Sequence, residues 1–136
     1  MQNNLKEKVF RIVCDRNLCS YMNNTKWDEF ITAVRNEMPF PPPFEIKFLT
    51  QEGVSQSRVL KEDVDYWGDW SGENFTSREC YFNIEWIKVR PRYLEFQEEL
   101  LTYELVDASK NFEEILHRYS ISYEEKSGLY CIYGYR

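Results

Sequence analysis

Carboxylates clustered with aromatic rings in the middle of the chain are the side chains best suited to chemistry. They are Glu62, Asp63, Asp65, Tyr66, Trp67, Asp69, Trp70, Glu73 and Glu85. Paired carboxylates beside rings that stack on sugars are typical of a glycoside hydrolase. The same residue types also mark protein interfaces, where Trp and Tyr act as anchors and acids attract a basic partner. The cluster therefore predicts a partner-binding surface, with a small hydrolase as the alternative.

The net charge of −6 is concentrated around this cluster. Residues 1–57 carry seven basic and seven acidic side chains, residues 58–107 carry six and twelve, and residues 108–136 carry four and four. Such a field repels nucleic-acid backbones and attracts basic protein surfaces. A solvated surface that only aids solubility is the plainer alternative. We therefore expect a basic protein partner and no nucleic acid.

Other catalytic and cofactor-binding patterns are missing from the sequence. The single histidine, His117, lies opposite the apolar stripe of a predicted helix, so we expect it to face solvent and not to serve a catalytic triad. Cys14 and Cys19 lack the second close pair of ligands that a zinc site needs. The glycines form no nucleotide-binding fingerprint. We expect no metal, no cofactor and no enzymatic activity.

Apolar residues at helical spacing predict three amphipathic helices. Their apolar stripes are Leu5, Val9, Ile12 and Val13; Trp27, Phe30, Ile31, Val34 and Met38; and Phe112, Ile115, Leu116 and Tyr119. Asn23, Asn24 and Thr25 offer capping side chains for the second helix, with Asp28 expected to complete a capping box from Thr25, and Asp107 or Ser109 is expected to cap the third. The proline-rich residues 39–43 end the second helix and predict a stiff connector, with a proline-rich binding motif as the alternative.

Alternating apolar residues predict the strands. They cover residues 45–49, 81–89, 100–106 and a C-terminal hairpin at 121–135, whose last strand is expected to lie inside the sheet. In residues 81–89 the alternation directs Ile84 and Trp86 to the core and Glu85 away from it. If residues 65–70 are extended, Tyr66 and Trp70 share one face, and Trp67 and Asp69 share the other.

These elements predict a single α+β domain with a mainly antiparallel sheet of about five strands packed with about three helices. We divide it into an N-terminal helical extension, residues 1–22, and a main body, residues 23–136. The aromatic content of 17% predicts a core rich in Phe, Tyr and Trp, and the four cysteines are expected to be free and mostly buried. Without a membrane-spanning run or a secretory signal, we expect a cytoplasmic location and no membrane partner.

Several short patterns resemble a family of small uncharacterised bacterial proteins. They are Asn23-Asn24-Thr25-Lys26-Trp27, Trp67-x-x-Trp70, Ile84-Glu85-Trp86 and Ile132-Tyr133-Gly134-Tyr135. Some members of such families resemble immunity proteins encoded beside polymorphic or contact-dependent toxins. The resemblance covers residues 23–135 and implies a cognate toxin domain as partner, for example a nuclease with a basic cleft, and no catalytic residues. An acidic adaptor or regulatory protein would bind its partner through the same combination of acidic and aromatic residues.

Overall fold

A computed structural model describes residues 2–53, 57–71 and 78–136. Within these residues the chain forms three α-helices and six β-strands, which confirms the predicted α+β class. The helices are α1 (Gln2–Asp15), α2 (Asn24–Glu37) and α3 (Ser109–Arg118). The strands are β1 (Phe44–Phe48), β2 (Ile84–Val89), β3 (Arg92–Gln97), β4 (Thr102–Asp107), β5 (Glu124–Lys126) and β6 (Leu129–Tyr133). Short 3-10 helices cover Arg58–Leu60 and Arg78–Asn83.

Antiparallel pairing arranges the described strands into two sheets. The larger has the order β1-β2-β6-β5, and β3 and β4 form a separate two-stranded ribbon. The inner position predicted for the last strand is confirmed, because β6 lies between β2 and β5. The strand predicted at 100–106 begins at Thr102 as β4, and the residues before it form β3, whose Gln97 lies opposite Thr102 at the end of the hairpin.

Helices α2 and α3 pack on one face of the four-stranded sheet. Ile87 of β2 lies opposite Ile132 of β6 on that face, and both are fully buried. The ring centroids of Phe30 and Phe112 are 5.9 Å apart, and those of Phe112 and Tyr130 are 5.3 Å apart. Edge-to-face pairs of this kind contribute about 0.5–1.5 kcal/mol beyond the area that they bury. The predicted aromatic core is confirmed.

The caps of α2 and α3 agree only in part with the predictions. Of the three capping side chains predicted for α2, Asn23 caps the helix, because it accepts a hydrogen bond from the Lys26 amide at 2.8 Å and the helix begins at the next residue. The predicted capping box is therefore wrong. At α3 the N-cap residue is Ala108, which makes no side-chain capping hydrogen bond, so the prediction of Asp107 or Ser109 as the cap is wrong; Asp107, one residue earlier, accepts a hydrogen bond from the Ser109 amide at 2.8 Å.

A β-bulge in β2 changes which side chains face the helices. Phe48 lies opposite Ile84 and Lys47 lies opposite Trp86, so Glu85 has no Cα partner on β1. One extra residue breaks the strict alternation of a strand. Ile84 belongs to the core as predicted. Trp86 is buried as predicted, with 7% of its surface exposed, but it shares the other face of the sheet with Lys47 and lies beneath a lysine ammonium of its own strand, 4.5 Å from the ring centroid.

The motifs at the start of α2 and at the end of the chain meet inside the fold. Trp27 is 2% exposed. A Cβ atom on Gly134 would clash with the Ile84 carbonyl oxygen and lie 3.3 Å from the Trp27 ring. Only glycine permits this close approach of two backbones. These motif residues therefore serve packing.

The cysteines are only partly as predicted. Cys14, Cys19 and Cys131 are free thiols, which confirms that part of the prediction. Cys131 is buried, but Cys14 and Cys19 are exposed because they lie at the outer end of α1 and just beyond it. The side chain of Cys80 lies outside the described residues. Among the helices that the structure describes, none combines the length and apolarity needed to cross a membrane.

Candidate protein-binding site

The structure divides the predicted cluster into an exposed part, a buried ring and two half-buried carboxylates. The exposed members are Glu62, which pairs with Arg58, and Asp65, Tyr66, Trp67 and Asp69. Trp70 is buried, whereas Asp63 and Glu85 are half-buried and form ion pairs within the chain. Glu73, and the turn predicted around it, lie outside the described residues. The cluster is thus not one continuous surface.

Trp70 is a core residue with 3% of its surface exposed. Its indole Nε1 donates a hydrogen bond to the Pro42 carbonyl at 2.7 Å, and its ring centroid lies 4.6 Å from that of Phe44. The prediction that Trp70 contacts a partner is therefore wrong, because burial removes its ring from the surface. The alternation that an extended segment at residues 65–70 would have shown is not present, since no strand forms there and the adjacent Tyr66 and Trp67 are both exposed.

Asp63 ties its loop to the start of β3. Its Oδ1 accepts a hydrogen bond from Arg92 Nε at 2.6 Å and lies 4.0 Å from Arg90 Nη1. Arg90 is 4% exposed and also donates to the carbonyls of Val59 at 2.9 Å and Ser127 at 3.0 Å. Burial lowers the pKa of Arg90, and the charge of Asp63 opposes that shift. The Asp63 carboxylate therefore stabilises the fold through ion pairs within the chain.

Glu85 lies apart from the exposed members of the cluster. It accepts hydrogen bonds from Lys47 Nζ at 2.6 Å and Arg16 Nη1 at 3.1 Å. Burial alone would raise the pKa of Glu85, but these two cations lower it overall. Lys47 is three residues along β1 from Phe44, which borders Tyr66 and Trp67, a separation of about 10 Å. The side chain points away from the core as predicted, but it does not join the cluster.

Tyr66 and Trp67 line a groove beside β1. The groove has a volume of 290 Å³, and its lining residues are Phe44, Glu45, Ile46, Tyr66, Trp67, Gly68 and Asp69. We call these residues the Trp67 groove. Trp67 is 56% exposed and Tyr66 is 43% exposed. Rings of this size usually bury large areas in cores or interfaces, so two adjacent exposed ones indicate a contact surface.

Gly68 and Tyr93 hold this loop in place. The Gly68 amide donates to the Pro41 carbonyl at 3.1 Å, and a Cβ atom at this position would clash with the Pro42 carbonyl oxygen. The Trp67 ring meets the Tyr93 ring of β3 edge-on, with centroids 5.9 Å apart. The loop is thereby fixed between the connector before β1 and the β3–β4 ribbon. Trp67 is consequently an ordered ring although it is exposed.

The Trp67 groove is acidic. Its seven lining residues, all of them described, include Glu45 and Asp69 and no basic residue. Hydrogen bonds from Ser71 lower the pKa of Asp69, so this carboxylate is ionised at neutral pH. Asp65 is exposed in the same loop. Sequence reasoning missed Glu45, because only the packing of the loop against β1 brings this residue beside Asp69.

Asp69 and Glu85, two carboxylates of the predicted cluster, lack the raised pKa of a general acid. The pKa values of Asp69, Glu85 and Asp107 are all lowered, whereas the general acid of a glycoside hydrolase needs a raised pKa. In the part of the chain that the structure describes, no group of three or more His, Cys, Asp or Glu residues is suited to a metal. His117 is exposed as predicted, with Nε2 at 3.3 Å from the Tyr123 hydroxyl.

The β3–β4 ribbon is a second exposed surface, and sequence reasoning did not identify it. Its exposed apolar residues are Phe96, Leu100, Leu101, Tyr103 and Leu105. The available signal was composition, because residues 93–106 contain four glutamates and no lysine, arginine or histidine. Whether apolar residues in such a segment are buried depends on tertiary packing, which the alternation of the strand does not reveal.

Comparisons with known proteins show one family. A family model described as a family of unknown function, DUF6678, matches residues 9–136. The match begins within α1 and includes every other helix and strand described above. No curated protein matches the chain, and no solved structure matches it. Because the match covers nearly the whole chain, the protein belongs to DUF6678, a family of unknown function.

Proposed function

We propose that this chain is a non-catalytic, protein-binding inhibitor: an immunity protein that neutralises a cognate toxin domain in the bacterial cytoplasm. The observation that carries the proposal is the exposure of Tyr66 and Trp67 in an acidic groove that is held in place by the fold. The resemblance of short motifs to immunity-protein families adds the biological setting.

The geometry of the Trp67 groove supports binding of a basic protein. A large ring that is already ordered loses little conformational freedom when a partner covers it, so more of its contact energy goes into affinity. Trp67 meets this condition because it packs edge-on against Tyr93. The carboxylates of Glu45 and Asp69 beside it would pair with arginine or lysine side chains at the rim of the interface.

A nuclease toxin fits this surface well. A cleft that binds nucleic acid is lined with basic residues, and an acidic surface with aromatic anchors offers it charges and rings in place of phosphates and bases. Inhibition by blocking requires tight binding but no turnover. Nuclease–immunity pairs of this kind are among the tightest protein complexes.

Co-expression with the C-terminal domain of the protein encoded immediately upstream tests the proposal. We expect the wild-type chain to restore growth and to co-purify with that domain. Trp67→Ala should lose both effects. Phe10→Ala is the matched control, because Phe10 is also a large exposed ring, 70% exposed, but lies on α1.

Three results would overturn all or part of the proposal. Absence of both rescue and co-purification with the wild-type chain would remove the immunity role. Co-purification without rescue would replace inhibition with an adaptor function. Equal loss of rescue in Trp67→Ala and Phe10→Ala would show that the Trp67 groove is not the binding site.

A further inference from the structure

The β3–β4 ribbon has one apolar face that points to solvent. Leu94 lies opposite Leu105, and Phe96 lies opposite Tyr103, so these four side chains share a face. The rings of Phe96 and Tyr103 have centroids 5.3 Å apart. Phe96, Tyr103 and Leu105 are all exposed. We call these four residues the apolar face of the ribbon.

The other face of the ribbon is acidic. Glu95 lies directly opposite Glu104, a pairing of like charges that destabilises a β-ribbon by itself. No basic residue between positions 93 and 106 offsets them. Tyr93 lies on this same face, two residues before Glu95, and contacts Trp67. The acidic face is therefore continuous with the Trp67 groove.

The outer edge of β4 is open. The ribbon contains only two strands, and β3 is also contacted on its far side, where the Leu94 amide donates to the Val64 carbonyl at 2.7 Å. Beside the outer edge of β4, the described residues place no strand. Five of the six residues of β4 are exposed. Such an edge presents backbone donors and acceptors that another chain can pair with.

The turn of the hairpin adds an independent indication of contact. Leu101 has a positive φ of 51° and is 81% exposed. Side chains with a Cβ atom rarely adopt this conformation, and glycine or asparagine would fit it better. An exposed leucine gains no packing within the chain to offset that preference. Its side chain extends the apolar surface of the ribbon at the end next to Thr102.

We propose that β4 pairs, strand to strand, with an extended segment of a partner protein that alternates apolar and basic residues. An added strand has the same two-residue alternation as β4. Its apolar side chains would lie beside Tyr103 and Leu105, and its basic side chains beside Glu104. A second copy of the chain fits poorly, because its own β4 brings Glu104 and no base.

This inference rests on the proposed protein-binding function and adds a second contact surface with a defined partner chemistry. The probe is a short capped peptide that alternates valine and lysine, added to the isotope-labelled full chain and followed by NMR. We expect chemical-shift changes and slowed amide exchange along Thr102–Asp107. A peptide of the same composition with its valines and lysines in separate blocks, and a peptide alternating valine and glutamate, should leave β4 unchanged.

Glu104→Lys is the decisive variant, because the new side chain faces Glu95 and replaces a repulsive pair with an attractive one. The variant should be at least as stable as the wild type, so weaker binding cannot result from unfolding. We expect binding of the valine–lysine peptide to weaken about fivefold and the valine–glutamate peptide to bind in its place. Phe10→Ala, on α1 and away from the ribbon, is the control and should bind the valine–lysine peptide through β4 as the wild type does.

Four outcomes would overturn the inference: no change on β4 at millimolar peptide, an equal response to the block peptide, an unchanged preference in Glu104→Lys, or a concentration-dependent dimer through β4 without peptide. The peptide experiment does not use the toxin domain. A failure here therefore leaves the growth-rescue result intact, and a failure of rescue leaves the peptide result intact.

Discussion

Trp67 and Trp70 are three residues apart, and the same substitution by phenylalanine should destabilise the protein strongly at Trp70 and hardly at all at Trp67. Trp70→Phe removes the Nε1 donor from the Pro42 carbonyl, to which it is now bonded at 2.7 Å. It also leaves a gap beside Phe30 and Phe44, whose rings contact the indole. We expect this variant to retain the fold with a large loss of stability.

The size of that loss follows from two contributions. A buried carbonyl that loses its hydrogen-bond donor costs about 1–3 kcal/mol. The smaller ring adds about 1–2 kcal/mol for lost contacts and the cavity that remains. Trp70→Phe should therefore lower the free energy of unfolding by about 3 kcal/mol, or the thermal midpoint by roughly 10 °C. Trp67→Phe should change the free energy of unfolding by no more than about 0.5 kcal/mol, because the Trp67 ring is mostly exposed.

Urea unfolding followed by far-ultraviolet circular dichroism measures both variants without relying on tryptophan fluorescence. Equal slopes of the transitions would show that the variants differ from the wild type in stability and not in compactness. A loss below about 1 kcal/mol for Trp70→Phe would refute the assignment of Trp70 to the core. A loss for Trp67→Phe as large as that for Trp70→Phe would refute the assignment of Trp67 to the surface.

Two further predictions concern an ion pair and a helix cap. Burial alone would raise the pKa of Glu85, but Arg16 and Lys47 hold it below the unfolded value of roughly 4.3. Ionised Glu85 therefore stabilises the fold above that pH. This contribution is lost as the pH falls through the folded pKa. Glu85→Gln should accordingly lower the urea midpoint at pH 7 and converge with the wild type in acid; an equal gap at both pH values would contradict this. Asn23→Ala should lower the free energy of unfolding by about 1 kcal/mol and Thr25→Ala by much less, and the reverse order would restore the capping box predicted from sequence.

Local periodicity identified the elements that depend on short-range patterns. The apolar stripes of α2 and α3 were predicted because residues three and four apart on a helix share a face, and Trp27, Phe30 and Phe112 are buried accordingly. The inner position of β6 followed from apolar residues on both of its faces. In each of these cases the information lies within one element.

Long-range contacts explain what the sequence did not reveal. The bulge at Glu85 forms where its carbonyl accepts hydrogen bonds from the amides of Gly134 and Tyr135 at the other end of the chain. Trp67 and Trp70 are both tryptophans, so their residue type does not tell which one is buried. That depends on where Pro42 and the rings of Phe30 and Phe44 lie in the fold. The sequence predicted the aromatic pair of the candidate site, Tyr66 and Trp67. It did not predict Glu45, because this residue joins the site only through tertiary packing.

The central claim is tested most directly with the Tyr66→Ala/Trp67→Ala variant. Titration calorimetry measures the affinity of this variant for the purified upstream toxin domain, and thermal unfolding measures the stability of the variant. The claim is that these exposed rings anchor a protein partner. We predict that the dissociation constant rises by roughly 30-fold or more, while the thermal midpoint stays close to that of the wild type. An unchanged dissociation constant, or no binding by the wild-type chain, would contradict it.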